Sequence, residues 1–335
     1  MRKIINSAKD FVDETMEGII LAYGDKVRLL DGDRRILLSN YPVKDGKVGI
    51  VTAGGSGHLP VFLGYVGQGM LDGCAVGNVF ASPSSQKMAD MIKACDRGGG
   101  VLCLYGNYGG DKLNFDMACE TVEFDDVVTK TVLVADDVAS SPKETAAKRR
   151  GVAGMVYAFK IAGAAAGQMK SLDEVASLAK KALDNIRTMG VALSPCIVPE
   201  VGIPTFSIGA DEIELGMGIH GEPGIELRKM MAADEIAEGV LARILEDMPV
   251  EAGGEVSVMI NGLGATPLEE LLIVYRKVHM LLADKGVKVF MPHIGEFATS
   301  MEMAGLSVTV FRLDEELKAL LRAPAKTPFY TNHNK

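Results

Sequence analysis

The feature that most restricts the fold of this chain is a recurring order of short apolar strand, glycine-rich loop and helix in its first half. Val48-Gly49-Ile50-Val51-Thr52 is a β-branched run that leads into Ala53-Gly54-Gly55-Ser56-Gly57-His58-Leu59-Pro60. Cys74 to Phe80 leads into Ala81-Ser82-Pro83-Ser84-Ser85 and a helix to about residue 94. Val101-Leu102-Cys103-Leu104-Tyr105 leads into Gly106-Asn107-Tyr108-Gly109-Gly110-Asp111 and a helix over 112–121, and the strand at 127–135 ends in Asp136-Asp137. Short apolar runs bounded by glycine read as strands buried on both faces. Their alternation with helices implies an α/β domain with a largely parallel sheet, whose ligands bind outside the carboxyl ends of the strands. The loops at 54–58, 80–85 and 106–111 are therefore expected at one crevice, with His58 and Asp111 in it. Bare glycine loops let backbone N–H groups approach a hydroxyl, carbonyl or phosphate oxygen closely. Neither GxGxxG at this loop nor GxxxxGK[ST] anywhere is present, so the loop by itself is a weak nucleotide signal.

At 335 residues the chain exceeds what one core usually supports. Two α/β domains are expected, 1–187 and 188–335, the first with the largely parallel sheet and strand-end glycine loops, the second with a mixed sheet. An amphipathic helix over 7–22 opens the first, and helices over 151–189, rich in alanine at 162–166, close it. The second is read as strands at 191–198, 206–208, 213–220, 255–260, 287–291 and 306–313, with helices over 234–246 and 268–285. The polar segment 327–335 reads as a short tail or an interface arm. The net charge of −9 leaves no basic face for nucleic acid or anionic membrane. No apolar run reaches the roughly 18 residues of a membrane span and no signal-peptide core follows Met1, so a cytoplasmic protein is expected. The 5 cysteines are odd in number and lack CxxC spacing, which favours buried reduced thiols over disulfides or a zinc site, and no metal site is expected.

Gly216-Met217-Gly218-Ile219-His220-Gly221-Glu222-Pro223-Gly224 is a backbone-dominated turn that presents one imidazole. Such a histidine serves as nucleophile, general acid or base, or metal ligand, or else it decorates a surface turn. Of the others, His279 lies in a helix as packing or surface, His293 follows Pro292 and is a candidate for lining a crevice, and His333 is in the tail. The scattered methionines fill cores.

Taken in order, Gly54–Pro60, Gly77–Pro83, Asn107–Phe115, Gly151-Val152-Ala153, Gly216–Gly224 and Asn261–Leu268 resemble the substrate-binding DhaK subunit of dihydroxyacetone kinases over essentially the whole chain. The resemblance implies that His220 forms a covalent hemiaminal with the ketone carbon of a short ketose, that His58 is a general base, and that Asp111 accepts the hydroxyl proton during attack on phosphorus. It places substrate contacts at Gly55, Ser56, Gly57, His58, Ser82, Gly106 and Asp111. No nucleotide cofactor is expected on this chain: ATP, or ADP recharged by a phosphotransferase system, comes with Mg²⁺ from a DhaL-like partner subunit, and a homodimer is expected. Two positions depart from the family pattern. Leu59 stands where a glutamate is usual, and Gly106 where a lysine is common. That paired loss of charge suggests a roomier pocket, for dihydroxyacetone or a four-carbon ketose such as erythrulose. A non-catalytic dihydroxyacetone-binding co-regulator is the alternative role.

Overall fold

The structure is a computed structural model and describes residues 2–333. The chain forms two compact units that interleave in sequence. One takes the chain up to Val134, Val156–Ala182 and the segment from Ala319 on; the other takes Ala135–Met155 and Leu183–Lys318. Where the sequence suggested one boundary near residue 188, the chain thus crosses between units at several points. The physical reason lies at Asp136-Asp137: Thr188 N–H donates to Asp136 O at 2.9 Å and Val138 N–H to Thr188 O at 3.0 Å, which ties the segment after residue 134 to the second sheet.

The first unit contains α1 (Phe11–Tyr23), β1 (Val27–Leu30), β2 (Asp33–Ser39), β3 (Gly49–Ser56), β4 (Gly73–Val79), α2 (Ser85–Cys95), β5 (Val101–Gly106), α3 (Gly109–Glu123), β6 (Thr129–Val134), α4 (Met155–Gly167) and α5 (Leu172–Asp184). Its sheet runs β1-β2-β4-β3-β5-β6, with β4, β3, β5 and β6 parallel and β1 and β2 antiparallel at one edge. That edge hairpin was not anticipated. Its signal is Asp31-Gly32, with Gly32 at φ +81°, a pair that supplies the left-handed backbone a tight hairpin needs. All of β3 is buried. Val51, Ala53, Ala75, Val101 and Cys103 of the strands pack with Met88 and Ile92 of α2 and Phe115, Ala118 and Val122 of α3. Ser84 caps α2, its side chain accepting from Lys87 N–H. In alanine-rich α4, a Cβ on Gly163 would overlap the Met70 backbone, so this helix approaches a neighbouring loop more closely than any side chain allows.

The second unit contains β7 (Ile186–Ala192), β8 (Glu212–Leu215), β9 (Glu226–Lys229), α6 (Ala233–Asp247), β10 (Glu255–Gly262), α7 (Leu268–Asp284), β11 (Lys288–Val289), β12 (His293–Gly295) and β13 (Gly305–Leu313). The sheet order is β11-β10-β13-β7-β8-β9, with β12 also on β10. β11 and β12 run parallel to β10 and the other pairs are antiparallel, the expected mixed sheet. Residues 193–211 form no strand, contrary to the expectation for 191–198 and 206–208. Pro195, Pro199 and Pro204 remove ladder donors there, and the strand lies earlier, at 186–192.

The C-terminal segment adds α8 (Glu315–Arg322), β14 (Ala325–Lys326) and β15 (Thr331–Asn332). As far as it is described it is not a loose tail. Thr327 is buried and donates to Gly64 O at 2.9 Å, and Lys326 and Gln68 exchange backbone hydrogen bonds. Asn332 Nδ2 donates to the carbonyls of Leu321, Arg322 and Ala323, satisfying acceptors the end of α8 leaves open.

Candidate functional site

In the first unit the loops after β3, β4 and β5 meet at the carboxyl edge of the sheet. Ser56 Oγ donates to Gly77 O at 2.8 Å, and Phe80 N–H to Ser56 O at 3.1 Å. Gly55 is required by this contact, because a Cβ would run into the backbone of Phe80 and Ala81. Gly57 turns the chain at φ +100°, and the Leu59–Pro60 peptide is cis. His58 is buried, stacked on Phe80 with ring centroids 4.8 Å apart and edge-on to Phe62 at 6.0 Å. Both phenylalanines have left-handed backbones, φ +57° at Phe80 and φ +71° at Phe62. Each such residue costs about 1 kcal/mol or more, so the surrounding structure holds two strained residues in place and both present their rings to His58.

Asp111 sits in the first turn of α3, buried, where the aligned backbone N–H groups favour a carboxylate. The start of α3 interlocks with the loop after β4: a Cβ on Gly110 would press on Ser82 Oγ, and in the next turn Asn114 Nδ2 donates to Pro83 O at 2.9 Å. Gly106 is the buried last residue of β5. The structure thus brings the loops of Gly55–His58, Ser82 and Gly106–Asp111 together. A cleft of about 500 Å³ beside them is lined by Gly77, Asn78 and Ser82, but not by His58 or Asp111.

His220 belongs to the second unit. Gly216 and Gly221 adopt φ +80° and φ +81°. The turn is tied to β7 by Gly216 N–H to Gly190 O at 2.7 Å and closed on itself by Gly218 N–H to Glu222 O at 3.1 Å. The imidazole is half-buried. Its Nδ1 lies 2.9 Å from Glu222 Oε1, while the His220 backbone N–H donates to Glu222 Oε2 at 2.9 Å. Burial raises the Glu222 carboxyl, but the hydrogen bonds it accepts from the ring and backbone of His220 outweigh it and bring it down to about 2. A carboxylate can only accept, so Nδ1 carries the hydrogen of this bond, and in the neutral ring the lone pair is on Nε2. The sequence reading quoted Glu222 within the motif and assigned it no part.

Behind the turn, Arg150 donates from Nε to Asp137 Oδ2 at 2.9 Å and from Nη2 to Gly216 O at 2.8 Å, and its Nη1 is 4.0 Å from Glu222 Oε2. Burial pushes Asp137 up to about 6 against the pull of Arg150. Asp136 accepts the N–H groups of Val152 and Gly154 at 2.8 Å each, which is why glycine is needed at 154: a Cβ there would overlap that carboxylate. The Gly151-Val152-Ala153 motif is therefore an anchor for Arg150. Its signal could not be read from the sequence, because Arg150 meets Gly216 66 residues away.

Of the remaining candidates, His279 is exposed on α7, His293 is half-buried edge-on to Phe297, and His333 is exposed. All five cysteines are free thiols, buried except for half-buried Cys119. No helix among the described residues is long and apolar enough to cross a membrane.

The Dak1 domain model matches residues 17–329. The dihydroxyacetone-binding subunit DhaK of PTS-dependent dihydroxyacetone kinase 2 from Listeria innocua serovar 6a is 43% identical over 330 residues, covering 98% of this chain and 99% of its own. The L-erythrulose kinase of Pectobacterium atrosepticum is 42% identical over 334 residues, and this chain spans 56% of its length. Among solved structures, the dihydroxyacetone kinase operon co-activator Dha-DhaQ superposes with a TM-score of 0.89 at 31% identity, over 96% of this chain and 98% of that one. The matches run over nearly the whole of this chain, and the chain belongs to the Dak1 domain family, with the DhaK subunits of dihydroxyacetone kinases among its relatives.

Proposed function

We propose that this chain is the substrate-binding subunit of a ketose kinase, trapping dihydroxyacetone or a related short ketose as a hemiaminal on His220. The observation that carries this reading is the pinned imidazole: Glu222 Oε1 holds Nδ1 at 2.9 Å, which fixes the ring on its glycine turn with Nε2 as the atom assigned to attack. Carbonyl capture selects ketoses over glycerol, which has no carbonyl. In this reading Asp111 and His58 perform acid–base work on the hydroxyl that attacks phosphorus, and Gly55, Ser56, Gly57, Ser82 and Gly106 line the substrate. A DhaL-like partner brings ATP or ADP with Mg²⁺, and the protein works as a cytoplasmic homodimer. Native mass spectrometry of the protein with dihydroxyacetone, without borohydride, tests the capture: a ketose adduct is expected on the wild type and none on His220→Ala. Equal binding by that variant refutes the assignment.

A second reading concerns the substrate. Leu59 and Gly106 in place of a glutamate and a lysine exchange an ion pair for apolar surface and space, and a relative at 42% identity is an L-erythrulose kinase. The expected outcome is a kcat/KM for D- or L-erythrulose at least equal to that for dihydroxyacetone. A preference for dihydroxyacetone above about tenfold, roughly 1.4 kcal/mol of discrimination, rejects it. The co-regulator role is favoured by the likeness to the co-activator structure. It predicts ketose capture with no turnover when a DhaL-type subunit and phosphoryl donor are supplied.

A further inference from the structure

We propose that Arg150, braced by Asp137, is a positioning residue for His220: it holds Glu222 against the turn so that Glu222 keeps the proton on Nδ1 and Nε2 faces the carbonyl carbon. This rests on the covalent reading above. Three observations carry it. The guanidinium is fixed at two points other than Glu222, by Asp137 at 2.9 Å and by Gly216 O at 2.8 Å, so its third nitrogen is a rigid neighbour of the Glu222 carboxylate at 4.0 Å. Gly218 supplies the space, because a Cβ there would overlap both Glu222 Oε2 and Arg150 Nη1. Glu222 in turn accepts from both the backbone N–H and the ring of His220, so any rotation of the carboxylate releases the imidazole.

The chemistry needs this order. The Nε2 lone pair forms the C–N bond as the C=O π bond breaks, and the ketone oxygen takes a proton from water. The ring becomes an imidazolium, whose Nδ1 proton returns to the hydroxide so formed by way of Glu222, with no net gain or loss of protons. A carboxylate already aligned on Nδ1 stabilises that imidazolium without reorganising. With the other tautomer, Nε2 carries hydrogen and cannot attack.

The test reads the tautomer and the capture separately. In ligand-free protein with ¹⁵N-labelled histidine, two-bond ¹H–¹⁵N correlations, assigned by the His220→Ala spectrum, are expected to show His220 protonated on Nδ1. Arg150→Met is expected to mix in the Nε2–H form and to weaken hemiaminal formation, followed with ¹³C-labelled dihydroxyacetone, by on the order of tenfold, the scale seen when an imidazole loses an orienting partner. Arg150→Lys is expected to recover part of both. A wild-type tautomer and wild-type capture in Arg150→Met overturn the proposal. If Arg150→Met does not fold, Arg150→Lys and Asp137→Asn are read in the same way, and unchanged tautomer in both overturns it. Failure of the wild type to form any adduct refutes the covalent reading, whereas the ligand-free tautomer still decides the role of Arg150.

Discussion

Replacing Lys160 by methionine is expected to stabilise the protein at neutral pH and destabilise it in alkali. Lys160 lies on α4 with 1% of its surface exposed, and its ammonium donates to Leu320 O at 2.7 Å. Burial lowers its pKa from 10.5 to about 7. A base whose folded-state pKa is depressed binds fewer protons when folded, so stability rises with pH from about 7 to about 10.5 and is level below that window. At roughly 1.4 kcal/mol per pH unit, the buried amine costs about 4 kcal/mol at pH 7 and almost nothing at pH 10.5. Methionine removes this cost but leaves the Leu320 carbonyl without its donor, a loss of about 2 kcal/mol at any pH. The variant should therefore be more stable by about 2 kcal/mol at pH 7, equal near pH 9 and less stable by about 2 kcal/mol at pH 10.5. Urea unfolding of both proteins at several pH values measures the difference. A difference that does not change with pH, or a less stable variant at pH 7, refutes the reasoning.

Asp111→Asn, assayed with a DhaL-type partner and donor, should keep ketose capture and lose turnover by about 10²–10⁴-fold, and full turnover excludes it as the base. Asp247, half of an ion pair with buried Arg149 that Arg187 also joins, is raised by burial but brought down to about 2 by the two guanidinium groups. Its folded pKa is below the unfolded one, so its stabilisation is complete above pH ~4 and is lost as the pH falls toward 2, a slope that acid unfolding should show and Asp247→Asn should abolish. That variant should also lose about 3 kcal/mol at pH 7, because Arg149 is left buried without its carboxylate. Cys119, half-buried 3.9 Å from Cys103 Sγ, is lowered to about 7 by that hydrogen bond. Peptide mapping after brief iodoacetamide treatment at pH 8 should find it alkylated ahead of buried Cys74 and Cys95, whose thiols burial pushes up.

The strand, glycine loop and helix order of residues 48–135 was legible without a structure because each step is local. Apolar runs of strand length, glycines that cap them and 3.6-residue helical spacing are properties of neighbouring residues, and the convergence of the loops at His58, Ser82 and Asp111 follows from a parallel sheet having one carboxyl edge. The GIHGEPG turn was legible for the same reason. What sequence could not supply was whatever depends on pairing across distance. The β1–β2 hairpin hid behind charged Arg34-Arg35, and the strand at 186–192 was read as the end of a helix because its partner, β13, lies more than a hundred residues on. The placing of Ala135–Met155 with the second sheet is decided by the backbone hydrogen bonds that Asp136 O accepts from Thr188 and Val138 N–H donates to Thr188 O, which no local pattern encodes. The same holds at His220. Its motif announces an exposed imidazole, but which nitrogen carries the proton is decided by where Glu222 and Arg150 come to rest, since a tautomer is set by its hydrogen-bond partner in space.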